Sequence, residues 1–193
     1  MLYGSVFSLL AVTASAAALT PKTAPTVSPK GTPAGLYTSE GQEKLRTSDG
    51  VYQVRRQIEF KGSDVFFRIF YADSSSKTTL LSKTMQAKLI SLKPTNVNER
   101  AYDLDVKVVS STLTAGPKSP LAHIFEISAC APEHKAVDLT KASCGTFKRE
   151  TGVLYSRILL EDDRRILISD LIEPGDDRPV NIYSAPLIKT RTP

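Results

Sequence analysis

The sequence predicts an all-β domain of seven or eight antiparallel strands, closed as a barrel or stacked as a sandwich. Three observations carry this. Apolar and polar residues alternate with period two through most of the chain after residue 50. Gly-, Pro-, Ser- and Asp-rich clusters interrupt the alternation at roughly even spacing. No long segment shows a helical period. The 193 residues allow one domain and a tail, and 41% hydrophobic with 23% charged residues is ordinary globular usage.

The elements follow in order. From Val51, Tyr52, Val54, Ile58 and Phe60 fall on one face and Gln53, Arg55, Gln57 and Glu59 on the other, with Arg56 breaking the apolar face. Lys61-Gly62-Ser63-Asp64 turns the chain into a second strand over residues 65–72, with Phe67, Ile69 and Tyr71 on one side. After the Ser74-Ser75-Ser76-Lys77 loop, residues 79–92 read as a long strand with Leu81, Met85, Ala87 and Leu89 on its apolar face. Tyr102, Leu104, Val106 and Val108 alternate with Asp103, Asp105 and Lys107 in the cleanest pattern of the chain. Residues 115–120 form a loop, and residues 121–129 fit a strand or a short helix. Strands follow at residues 153–160 and 165–171, and a closing strand fits residues 181–189. The shared apolar face points inward in a barrel, where it either lines a cavity or fills the core.

Residues 1–18 carry no charge and end in small residues, the pattern of a secretory signal. Residues 19–34 hold a proline every fourth position and read as an extended linker, so the folded domain is expected over residues 35–193. No other stretch is apolar enough to anchor the chain in a membrane, so a secreted, extracellular protein is expected. In that setting Cys130 and Cys144 predict one structural disulfide.

Catalysis needs convergent groups, and none are apparent. There are two histidines; His123, among Leu121, Ala122, Ile124 and Phe125, reads as structural, and His134 as solvated. No nucleophile elbow, zinc-binding helix or phosphate loop occurs, and two Cys with two His do not build a metal site alone. A non-enzymatic protein without metal or cofactor is expected. Net charge is +5, too mild and scattered to argue for nucleic acid. Residues 161–178 hold seven acids against three arginines, which leaves the remainder basic enough to steer an acidic partner such as a glycosaminoglycan or anionic lipid.

An ordered set of segments resembles a family of Wnt antagonists named for down-regulation by adenomatous polyposis coli. Gly35-Leu36-Tyr37-Thr38-Ser39-Glu40-Gly41-Gln42-Glu43 is similar to the family's Gly-x-Trp-x-Ser-x-Gly-Cys-Glu opening. Arg56 and Phe60 fall in step with its Arg-Ser-Tyr-Thr-Phe strand. Phe70-Tyr71-Ala72-Asp73 resembles its Tyr-Tyr-Ala-Asp. Cys130 and Cys144, around Val137-Asp138-Leu139-Thr140, resemble its paired cysteines, and Arg178-Pro179, Tyr183 and Pro186-Leu187 its ending. Tyr37 replaces the family's Trp, the Arg-to-Tyr spacing is one longer, and Gln42 and Ser76 both stand where it carries cysteines, a joint loss that a bonded pair predicts.

The resemblance implies a lipocalin-like, up-and-down barrel whose apolar cavity accepts a lipid or an acylated protein, in the family the acyl group on Wnt. The expected lining is Val54, Ile58, Phe67, Ile69, Leu81, Met85, Leu104 and Val106, with Arg56 either holding a polar head group or pairing with an acid at the rim. The competing expectation is a secreted protein-interaction, matrix or inhibitor module with a solid core. The family's membrane anchor and second tandem domain have no counterpart in these residues.

Overall fold

The structure, a computed structural model, describes residues 33–39, 43–95, 100–162, 164–173 and 186–190. The expected signal and nearly all of the expected linker lie outside the described residues. So do Gln42, Arg178-Pro179, Tyr183 and residues 181–185 of the expected closing strand.

Among the described residues ten strands and one turn of helix form: β1 (Gly35–Ser39), β2 (Glu43–Thr47), β3 (Gly50–Lys61), β4 (Asp64–Asp73), β5 (Thr79–Pro94), β6 (Ala101–Ala115), α1 (Leu121–Ile124), β7 (Ala136–Asp138), β8 (Val153–Leu160), β9 (Arg165–Ile168) and β10 (Leu187–Lys189). Eight of them close a ring in the order β1-β3-β4-β5-β6-β8-β9-β10 and back to β1, every neighbour antiparallel. The protein is therefore an up-and-down β-barrel, a closure that removes the free sheet edges. β2 prolongs the edge begun by β1, pairing with residues 50–54 of β3 while β1 pairs with residues 57–60.

The strands obey their patterns. In β3, Tyr52, Val54, Ile58 and Phe60 are buried while Val51, Arg55 and Lys61 are exposed. In β8, Leu154, Ser156 and Ile158 are buried in alternation. β6 changes phase once at an extra residue and β5 twice, first at Leu80, which is skipped between the pairs Tyr71–Leu81 and Ala72–Thr79. Between the paired sets Leu89–Val106 and Ser91–Asp105, Ile90 has no partner, and between Ala87–Val108 and Gln86–Ser110, Val109 has none. Among the described residues these are two of the three large hydrophobics left on the surface, at 54% and 52% exposure. Below Val109, β6 buries Leu104 and Val106; beyond it, Ser111, Leu113 and Ala115. β6 thus runs on past Val108, the last residue of the expected alternation, to Ala115.

Two apolar clusters result. The barrel interior holds Ile58, Phe60, Val65, Met85, Leu104, Val106, Leu154, Ile158, Ile166 and Leu187. A second cluster lies where β3–β6 outrun the ring, and residues 116–150 cover it as a cap. Tyr52, Leu81, Leu113 and Ala115 of the strands meet Leu121, Ile127, Leu139 and Cys144 of the cap. Cys130 and Cys144 form the expected disulfide inside this cap, with Cα atoms 5.7 Å apart.

Several expectations are corrected here. Residues 121–129, expected as a strand or a short helix, start with one helical turn; α1 buries Leu121 but leaves His123 exposed, so His123 is not a core histidine. The strand expected over residues 165–171 ends at Ile168. The described closing strand is three residues long.

Candidate ligand site at the barrel mouth

Cross-strand pairing stacks the inward residues of β3, β4, β5 and β6 in rows. Val54, Tyr71, Leu81 and Ala115 make the row on the cap side, and Ile58, Phe67, Met85 and Ser111 the row on the barrel side. Between them lies Arg56, Ile69, Lys83 and Leu113. Two cations therefore project inward between two apolar clusters. Each meets an acid. Arg56 Nε donates to Glu43 Oε2 at 2.6 Å. Lys83 Nζ donates to Glu150 Oε1, and the wholly buried Ser111 hydroxyl donates to Glu150 Oε2 at 2.5 Å. The cap positions Glu150: Leu139 N–H bonds to Ser111 O at 2.8 Å, and Glu150 N–H returns to Leu139 O at 2.9 Å.

Burial raises the Tyr71 phenol above its ordinary range; the Arg56 charge pulls it down and Glu43 pushes it up. Glu43 Oε1 is buried and accepts no hydrogen bond among the described residues. Ion pairs of this kind gain little net stability once desolvation is counted.

A cavity of about 140 Å³ opens below this layer. Its floor is Ile58, Phe67, Met85, Ile168 and Leu187; Arg56, Arg68, Lys83, Glu150 and Asp170 stand at its rim. A dry cavity of about that size accepts benzene in other proteins. The site is apolar below and charged above, suited to a small amphipathic molecule or to the end of a longer chain.

Of the residues expected to line a cavity, Arg56, Ile58, Phe67, Ile69 and Met85 meet in this one. Leu104 and Val106 do not line it: both are fully buried in the packed barrel interior. Leu81 packs under the cap. Val54 is buried in the row on the cap side and does not line this cavity. Arg56 pairs with an acid, Glu43, and also lines the cavity. Lys83 and Glu150 were not anticipated. The signal for Lys83 was present, because it interrupts Leu81-x-Lys83-x-Met85 as Arg56 interrupts its own strand. Glu150 follows the disulfide loop and carries no comparable signal.

Among the described residues no group of three or more His, Cys, Asp or Glu side chains is placed to hold a metal ion, and no helix is long and apolar enough to cross a membrane. No family model matches the chain, and no curated protein matches it.

Proposed function

We propose that this protein is a secreted, non-enzymatic binding barrel that takes an apolar chain end into the cavity at its mouth and an anionic or polar head group at the Arg56–Lys83 layer. The observation that carries this reading is the cavity itself, with its apolar floor and its rim of inward-facing, paired cations. Buried charge is an inefficient way to stabilise a core, and a ligand head group gives these side chains a use. The resemblance to the Wnt antagonists makes an acylated signalling protein the natural partner. At about 140 Å³ the cavity holds the tip of an acyl chain rather than its whole length.

Calorimetry with straight-chain carboxylates of increasing length tests this. Affinity is expected to rise by about 0.8 kcal/mol per methylene until the cavity is full and then to level off. Arg56→Gln should weaken the carboxylates more than the matching alcohols, and Ile69→Phe should fill the cavity and abolish binding without lowering the melting temperature. Capture of an acylated Wnt but not of its acyl-free form would extend the reading to signalling. If no member of the series binds, the reading fails. The solid-core interaction module, which the fully buried Leu104, Val106 and Ile158 favour, then stands.

A further inference from the structure

The barrel carries a second pocket, on its outer wall and away from the mouth. It encloses about 150 Å³ among Gln53, Val54, Arg55, Phe70, Lys77 and Thr79. The Arg55 guanidinium lies 4.8 Å from the Phe70 ring centroid, which fixes one cation over an outward-facing aromatic. Lys77, held with φ of +58° in the β4–β5 turn, supplies a second cation to the same pocket. The basic surface extends sideways. Lys44 of β2 pairs across from Gln53 and Arg46 from Val51, so both stand on this outer face, and both are exposed. Among the described residues none of Lys44, Arg46, Arg55 and Lys77 has a carboxylate within ion-pair distance. Asp49 and Asp73 lie in the adjoining turns, and Asp73 is turned into its own loop by Ser75 and Ser76. Four cations on neighbouring strands thus make a flat basic field around one pocket.

We propose that this outer face of β2, β3 and β4 docks a sulfated polysaccharide, with Arg55 and Lys77 gripping one anionic group in the pocket and Lys44 and Arg46 following the chain. Charge complementarity selects a polyanion. Two observations favour a polysaccharide over a nucleic acid. The Phe70 face that a base would stack on is taken by Arg55. The Cys130–Cys144 disulfide belongs to oxidising compartments, where sulfated polysaccharides are met. The site is independent of the mouth cavity.

The test uses the whole disulfide-bonded protein and a size-defined heparin octasaccharide, with affinity measured over a range of salt concentrations. Arg55→Gln with Lys77→Gln is expected to weaken binding about tenfold and to lower the salt slope by roughly one for each cation removed. Lys107→Gln with Lys135→Gln removes the same charge elsewhere from exposed positions and should change affinity less than about twofold. All four side chains are exposed, so melting temperatures should stay at the native value. Equal losses in the two double variants would reduce the effect to net charge and overturn the site. Absence of binding at physiological salt, or tighter binding of a single-stranded oligonucleotide of equal charge, would overturn it as well.

Discussion

At the level of single residues, charge placement is what distinguishes this barrel. Arg56 was visible in the sequence because it breaks an otherwise apolar face, and Lys83 repeats the signal two strands away in the same cross-strand row. Their acids were not visible: Glu43 and Glu150 arrive from 13 and 67 positions away, through register and cap folding that period-two reasoning does not encode. Asp73 shows the opposite case, a charge whose role is purely local. It accepts from the Ser75 hydroxyl at 2.5 Å and from the Ser75 and Ser76 N–H groups at 2.8 Å each, closing the β4–β5 turn. Those bonds, the Ser75 hydroxyl first, lower its pKa to about 2 from 3.8. A carboxylate with a depressed folded-state pKa contributes stability that is fully present above pH 4 and is lost as pH falls through about 2. Asp73→Asn should therefore lower the melting temperature at neutral pH. The gap from the native protein should narrow progressively between pH 4 and pH 2. Melting curves over that range check it, and a gap that holds constant to pH 2 would remove Asp73 from the acid response.

Among the elements, long strands were legible and short ones were not. β3 and β8 follow their sequence patterns closely because each keeps one phase throughout, whereas β4 fully buries Val65 alone and leaves its other residues half-buried. β5 was read over residues 79–92, through its Ile90 bulge, whereas the alternation of β6 was read only to Val108, since the extra residue Val109 moves every later side chain to the other face. β1, β2 and β7, with five, five and three residues, are too short for alternation to register. The cap depends on close backbone approach more than on pattern. Phe125 O accepts from Thr146 N–H at 3.0 Å, and the Phe125 ring lies between Tyr71 and Phe147 at 5.2 and 5.3 Å. Gly145 makes this possible: its φ is +57°, and a Cβ there would sit 2.1 Å from Phe125 O. Gly152 has φ of +74° but nothing within 4 Å of such a Cβ. Gly152→Ala should thus cost only the left-handed backbone term of about 1 kcal/mol. Gly145→Ala should add backbone displacement and cost about 3 kcal/mol or more, with amide exchange in residues 121–147 accelerated ahead of the barrel strands. Urea titration with exchange mass spectrometry separates the two, and equal costs would show that the Phe125 contact carries no weight.

For the whole molecule, the alternation legibly specified antiparallel strands, the resemblance alone chose a barrel over a sandwich, and neither said how the ring shuts. Closure depends on contacts between the two ends of the described domain, such as Thr190 N–H to Leu36 O at 2.8 Å, and no local pattern reports a pairing that distant. β10 does the closing with three residues. Leu187 pairs with Ile166 on one side and Ser39 on the other, Ile188 with Arg165 and Thr38, and Lys189 with Tyr37. Leu187 is also nearly fully buried and forms part of the cavity floor. Its burial stabilises by about 2 kcal/mol, and the backbone hydrogen bonds of β10 add about 1 kcal/mol each. Together these are a large share of the 5–15 kcal/mol typical of a domain. A chain ended after residue 185 would expose the edges of β1 and β9 at once. Unpaired strand edges recruit other strands, so this shortened chain should self-associate at micromolar concentration and lose its cooperative melt together with the carboxylate binding proposed for the mouth cavity. Light scattering across a concentration series, alongside the melt, reads both. A shortened chain that stays monomeric and melts like the native protein would mean that β10 is an ornament on a sheet stabilised elsewhere, and that the mouth cavity owes nothing to closure of the ring.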